Sequence, residues 1–182
     1  MRLETDRLYL LPPDSGDADR VTEYFCRNRH FMEEFEPVRE EEYYTVQFQR
    51  DMLLRQAQEW EEQKGYRFYI SPKEQEELII GFVGLSNVVM GPFCSCFIGC
   101  QIDEDFQKKG LMTEAVSQVV RFAFSSLRLH RIEGNIMPRN KASIRVAEKC
   151  GFVREGVARK YLKINGVWED HIHFVKLNED ME

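Results

Sequence analysis

Apolar and polar positions follow two periods along this chain, one of two residues and one of a helical turn. Residues 7–11 read as a first strand, stopped by Pro12-Pro13. Asp14 or Ser15 then caps a short helix to about Arg27. Residues 32–38, with Pro37, form an irregular connection. Over residues 40–63, Val46, Leu53, Ala57 and Trp60 recur at steps of seven, four and three, which puts them on one helical face, and Gly65 ends that helix. Residues 66–70 and 78–88 read as strands around a polar, Pro-containing connection, and Gly91-Pro92 marks the next turn. Residues 94–102 are a strand. In residues 112–127, Met112, Ala115, Val116, Val119, Phe122, Ala123 and Leu127 recur at helical spacing and form a core face. Residues 131–137 are a strand ended by Pro138, and Asn140 caps a helix to about Lys149 with Gly151 just past its end. Residues 152–164 and 167–177 are the last strands, joined by the hairpin dipeptide Asn165-Gly166. This order predicts an α/β fold, a mixed sheet with helices on both faces. No repeat or linker divides it, so a single domain over residues 1–182 is expected.

Composition narrows the picture. Hydrophobic content of 43% and charged content of 31% suit a soluble globular chain. A net charge of −6 argues against direct nucleic-acid binding driven by phosphate neutralisation. Arg2, Glu4, Asp6 and Arg7 break up the first residues, so no leader-like apolar run is present. No segment approaches the roughly 20 apolar residues of a membrane span. A cytoplasmic protein without a membrane partner is expected, as monomer or homodimer. The five cysteines, Cys26, Cys94, Cys96, Cys100 and Cys150, read as reduced thiols. Cys94, Cys96 and Cys100 would share a face of one strand, but C-x-C on a strand lacks the turn geometry of a zinc knuckle, and no metal is expected. His171 and His173 also share a strand face and read as packed or hydrogen-bonded.

Gln107-Lys108-Lys109-Gly110-Leu111-Met112-Thr113 joins a strand to a helix. The first N–H groups of a helix have no acceptor within it, and its dipole leaves partial positive charge there. A diphosphate fits that position, and Gly110 lets the backbone come close. Lys108, Lys109, Lys141, Arg145 and Lys149 lie in or near this loop and the helix that follows Asn140. They read either as phosphate partners or as a solvated face.

The two segments together, residues 107–113 and 138–156, resemble the acetyl-CoA-binding core of the GNAT N-acetyltransferase superfamily. Its phosphate loop reads (Gln/Arg)-x-x-Gly-x-(Gly/Ala); Gln107 and Gly110 match, and Met112 departs at the last position. The chain is further similar to the RimJ/RimL-type branch, which acetylates N-terminal amines of ribosomal proteins. That likeness rests on Glu-Thr-Asp-Arg-Leu at residues 4–8, Phe35-Glu36-Pro37-Val38-Arg39, His130-Arg131-Ile132-Glu133, Asn140 with Ser143, Glu148-Lys149-Cys150-Gly151-Phe152, and Asn165-Gly166 with Trp168, Asp170 and His171. The resemblance implies a GNAT fold and an acetyl-CoA site formed by Ile102, Gln107, Lys108, Lys109, Gly110, Leu111, Met112, Thr113, Asn140 and Ser143. Met112 is expected to turn its side chain into the core rather than block the site.

Transfer of acetyl from a thioester to an amine needs a neutral amine, a stabilised carbonyl oxygen and assistance to the leaving thiolate. The resemblance implies direct attack and gives Ser143 the contact with the CoA sulfur; the same serine also reads as an ordinary first-turn helix residue. Glu133 is the candidate acceptor of the amine proton, or else a charge paired with Arg131. RimL-type enzymes place their base where this chain has Leu162, so Asp170 and a water chain stay open as alternatives. Residues 25–60 are expected to wall the acceptor site, and Glu33, Glu34, Glu36, Glu40, Glu41 and Glu42 make that wall acidic, which suits a cationic amine. The acceptor is expected to be a protein N-terminus, with a small amine as the alternative enzyme substrate and a non-catalytic acyl-CoA-binding module as the alternative outside catalysis.

Overall fold

The computed structural model describes residues 1–181; Glu182, the last residue of the expected domain span, lies outside them. The strands are β1 (Leu3–Glu4), β2 (Leu8–Leu11), β3 (Tyr66–Pro72), β4 (Gly81–Val89), β5 (Ser95–Ile102), β6 (Arg131–Ile136), β7 (Val153–Ile164) and β8 (Val167–Leu177). The helices are α1 (Ala18–Met32), α2 (Val46–Glu61), α3 (Leu111–Ser125) and α4 (Lys141–Lys149). The strands form one eight-stranded sheet in the order β1-β2-β3-β4-β5-β6-β8-β7. Every neighbouring pair is antiparallel except β5 and β6, which run parallel. A parallel pair needs a long crossover, and the segment carrying α3 supplies it.

Alternation along the strands sends side chains to two faces. Phe68, Ile70, Val83, Leu85, Cys96, Ile132, Ile172 and Phe174 pack with α3 and α4, including the fully buried Ala115, Val119 and Ala123. Tyr69 and Phe82 point the other way and pack with Ala18, Val21, Tyr24 and Phe25 of α1 and Leu53 of α2. Each fully buried aliphatic side chain contributes about 1.5–3 kcal/mol relative to exposure. The two cores therefore fix one helix pair on each face. The hairpin dipeptide behaves as its chemistry demands: Asn165 and Gly166 both take positive φ, 49° and 83°, between β7 and β8.

The structure departs from the sequence reading most at four places. The helix expected over residues 40–63 is broken at Thr45, which is extended (φ −101°, ψ 147°) and accepts the Phe48 N–H on its hydroxyl. Residues before it make only a 3-10 turn, Glu41–Tyr44, so α2 begins at Val46. The first helix runs five residues further than expected, to Met32, after a 3-10 turn capped by Asp14. The strand expected from residue 78 begins at Gly81. β1 has only two residues, too short to show a period, and exists because Leu3 and Glu4 pair with Leu10 and Tyr9. Among the described residues no helix is long and apolar enough to cross a membrane.

Candidate active site

β5 and β6 pair over three residue pairs only: Ser95 with Arg131, Cys96 with Ile132 and Phe97 with Glu133. Both strands continue beyond that point with their other neighbours, β5 along β4 to Ile102 and β6 along β8 to Ile136. The sheet therefore opens into a wedge whose edges are residues 98–102 and 134–136. Backbone N–H and C=O groups on such edges need partners, and a ligand carrying amides can supply them.

The loop of residues 107–110 lies just beyond the β5 end of this wedge. Lys108 (φ 59°) and Gly110 (φ 78°) are both left-handed, and Gly110 is the N-cap of α3. No side chain caps α3, so the first-turn N–H groups of Leu111, Met112 and Thr113 can face an anion. The side chains of Leu111 and Met112 are 8% and 7% exposed and belong to the core, so only their backbone is offered to a ligand. Met112 turns inward as expected. Lys108 and Lys109 are exposed, and the Lys109 ammonium lies 4.8 Å from the Phe106 ring.

Two clamps fix the loop. Arg7, just before β2, donates to the Lys109 carbonyl (3.0 Å) and to Glu114 of α3 (2.7 Å). The Thr5 hydroxyl and the Arg7 N–H also donate to Glu114, at 2.5 and 2.9 Å. Burial raises the Glu114 carboxyl, but these hydrogen bonds outweigh it and hold the group below the ordinary carboxylate range. On the other side Asp103, 2% exposed, accepts from Arg27 (2.7 Å) and Asn28 (3.0 Å) of α1 and from the Asp105 N–H (3.0 Å). Burial again opposes ionisation and the donors again win, so Asp103 is held low.

α4 follows β6 on the face that α3 covers. Its N-cap is Asn140, whose Oδ1 accepts the Ser143 N–H at 3.1 Å. Ser143 thus sits in the first turn beside the wedge, partly buried. Lys141, Arg145 and Lys149 of α4 are exposed.

Glu133 points to the opposite face, so Ser143 and Glu133 flank the wedge from its two sides. The Glu133 side chain is 16% exposed, and both of its oxygens are engaged. Oε2 is 3.1 Å from Arg131 and Oε1 is 3.1 Å from His173 Nδ1. Arg131 also donates to both oxygens of Glu155, at 2.9 and 2.7 Å; these bonds, with those to Glu133, hold its guanidinium firmly charged. Tyr161 packs edge-on against His173, ring centroids 5.0 Å apart. Asp170 is occupied elsewhere: its Oδ1 accepts the N–H of Lys160, a positive-φ residue at the bulge in β7. Leu162 is exposed, as its apolar side chain in an outer strand permits.

The connection between α1 and α2 crosses the open side of the wedge. Glu36 accepts a hydrogen bond from Gln101 of β5, whose Oε1 also accepts from Tyr24 at 3.3 Å. Burial pushes the Glu36 carboxyl up, only partly offset by Arg39 and Arg67. The far end is held by the β7–β8 hairpin: Asn165 donates to the Glu33 carbonyl (2.6 Å) and accepts from the Val38 N–H (2.8 Å). Arg139 adds a bond to the Glu34 carbonyl at 2.9 Å. Alongside, between α2 and the sheet, lies a cavity of about 360 Å³ lined by Arg55, Glu59, Arg67, Phe82, Gly84 and Gly99, among others. Gly84 and Gly99 are paired across β4 and β5; a Cβ on Gly99 would meet nothing within 4 Å, so the floor is bare backbone there, while the Arg67 guanidinium lies over Gly84.

The cysteines take no part in this arrangement. All five are free, Cys94 precedes β5 rather than sharing its face, and burial pushes the Cys96 and Cys100 thiols up to about 12. Cys150 lies against the Ser117 hydroxyl (3.5 Å) and the Thr113 carbonyl (3.6 Å), as a packed thiol. Among the described residues no group of three potential metal ligands is present.

Sequence reasoning gave no role to Gln101 or Asn135, took Arg7 and Asn165 only as parts of family-like segments, Asn165 also as a turn residue, and read His173 as packed or hydrogen-bonded. No local pattern reveals partners 107 residues apart, as Arg7 and Glu114 are. The alternation that puts His173 on one strand face was visible; its partner across the sheet was not.

Comparison with known proteins gives a consistent likeness. The model of the family "Acetyltransferase (GNAT) domain" matches residues 7–153. The chain is 43% identical over 180 residues to "Probable N-acetyltransferase YjcK" of Bacillus subtilis (strain 168), covering 99% of each. It is 40% identical over 176 residues to the ribosomal protein uS5-alanine N-acetyltransferase of Escherichia coli (strain K12), covering 94% of this chain and 88% of that one. The crystal structure of the ribosomal-protein-S5-alanine acetyltransferase from Vibrio fischeri superposes with a TM-score of 0.95 at 36% identity, covering 100% and 99% of the two chains.

Proposed function

The chain belongs to the GNAT acetyltransferase family and is of the RimJ/RimL type, and we propose that it moves acetyl from acetyl-CoA to the N-terminal α-amine of a protein, a ribosomal protein foremost. The observation that carries this is the wedge between β5 and β6 with a glycine-capped helix N-terminus at its mouth. The pantetheine amides pair with the wedge edges, and the diphosphate lies on the N–H groups of residues 110–113 with Lys108 and Lys109 beside it. The thioester then reaches the point where the sheet opens.

The neutral amine approaches from the face that carries Glu133. Its lone pair forms the C–N bond, the C–S bond breaks, and the electrons leave on sulfur. Ser143, on the face of α3 and α4, donates a hydrogen bond to the departing thiolate. The amine proton passes toward the Glu133 side. The acidic connection with Glu33, Glu34 and Glu36 attracts a cationic acceptor, and the trough over Gly84 and Gly99 leaves room for residues that follow the terminal one. The acceptor class is supported by the activity that names the E. coli relative.

The test is an acetylation screen with thiol release as readout, comparing peptides bearing ribosomal-protein N-termini with polyamines and free amino acids. Turnover of peptides is expected, together with a fall in kcat for Ser143→Ala of roughly tenfold or more at unchanged acetyl-CoA affinity. Turnover confined to small amines would overturn the acceptor class. Acetyl-CoA binding without turnover of any amine would overturn catalysis.

A further inference from the structure

Resting on that reading of the reaction, we infer that His173 is the group that receives the proton of the acceptor amine, with Glu133 as its positioning residue. Asn135 and His173 are directly opposite each other across β6 and β8, on the face from which the amine arrives. Asn135 lies past Phe97–Glu133, in the part of β6 that edges the wedge. Glu133 Oε1 lies 3.1 Å from His173 Nδ1, close enough for its negative charge to favour a proton on that nitrogen. A proton on Nδ1 leaves the lone pair on Nε2.

His173 Nε2 is buried and has no hydrogen-bond partner; Asn135 Oδ1 is buried and has none either. Unpaired buried polar atoms are few in folded proteins, because each forfeits its bonds to water. The two atoms belong to paired residues of adjacent strands, β6 bordering the wedge and β8 behind it, and what they lack is N–H donors. A primary amine has two. With one N–H on Nε2 and the other on Oδ1, its lone pair is free to face the thioester carbon. As the C–N bond forms and sulfur leaves, the surplus amine proton moves to Nε2. The imidazolium is then stabilised by Glu133, which Arg131 and Glu155 hold in place. Each Glu133 oxygen already has one partner, Arg131 or His173. The other ionisable groups along this face are Tyr161 of β7, His171 of β8 and the Glu169–Arg139 pair.

His173→Gln keeps a polar side chain but removes the base. With whichever amine the enzyme turns over, kcat and kcat/KM are expected to fall together by on the order of 10²-fold near neutral pH. The deficit shrinks toward acid, where a general base is lost from the wild-type enzyme as well, and acetyl-CoA affinity measured by calorimetry is unchanged. Glu133→Gln shows a smaller loss with the same pH trend, and adding it to His173→Gln costs nothing more, because the two act as one unit. A deficit equal at every pH, or wild-type rates in a folded His173→Gln protein, overturns the assignment. A second measurement needs no variant and no turnover: ¹⁵N imidazole NMR of the wild-type protein. The Nδ1–H tautomer is expected, with the Nε2 resonance moving when an amine-bearing peptide is added; an Nε2–H tautomer overturns the assignment even if no acceptor peptide is acetylated.

Discussion

Gly110 holds φ 78° at the exact point where the loop turns into α3. A Cβ there would lie 3.5 Å from Arg7 Nη2, an ordinary contact, so space does not demand glycine; the left-handed backbone does. Gly110→Val forces a β-branched residue into that region at about 1–2 kcal/mol. The loop relaxes instead, and its N–H groups turn away from the diphosphate. The acetyl-CoA KM is expected to rise roughly 5- to 30-fold with little change in the KM of the acceptor. Steady-state kinetics with each substrate varied in turn checks this, and unchanged acetyl-CoA affinity in the folded variant would remove the loop from the cofactor site.

α3 is the element that serves the core and the loop together. Its inner face packs Ala115, Val119 and Ala123, while Glu114 on its first turn ties the N-terminal segment to the loop through Thr5 and Arg7. Glu114→Gln weakens several charge-assisted hydrogen bonds, and a loss of about 2 kcal/mol in unfolding free energy is expected near neutral pH. The native Glu114 carboxyl titrates below its unfolded value of 4.5, so this stabilisation is fully present above that value and disappears as pH falls through the native one. Wild type and variant should therefore converge in acid. Urea denaturation at a series of pH values tests the sign; a gap that stays constant into acid would mean that Glu114 acts through packing alone. Asp103, also held below its ordinary range, works the same way between α1 and the β5 end, so acid weakens that clamp too.

Across the whole molecule, the connection of residues 33–39 bridges β5 and the far hairpin, with Glu36 on Gln101 at one end and Asn165 at the other. The side of the wedge away from α3 is thereby crossed by a segment anchored to both halves of the split sheet, while the loop of residues 107–110 is anchored elsewhere. Asn165→Ala frees one end of the bridge. Its expected effect is a several-fold rise in acceptor KM with the acetyl-CoA KM unchanged. Equal changes in both constants would show that the hairpin supports the sheet as a whole instead.

The sequence by itself determined most of the elements and the glycine-bearing turn that opens α3. Helical spacing located α3, turn chemistry located Gly110, Asn140 and the Asn165-Gly166 hairpin, and alternation located the last strands, because each depends on sterics and burial within a few residues. It missed the break at Thr45, where a capping side chain overrode a continuous helical pattern, and the two-residue β1, which only its partner strand creates. Glu133 was legible as a carboxylate on an inner strand, and its pairing with Arg131 as one of two readings, but His173 beside it was not. Only the tertiary structure decided where β5 and β6 part, that Arg7 reaches Glu114, and that Asn135 lies opposite His173. Those facts are set by strand register and by contacts between distant segments. Many weak packing terms summed over both faces of the sheet fix that register, and no short stretch of the chain contains them.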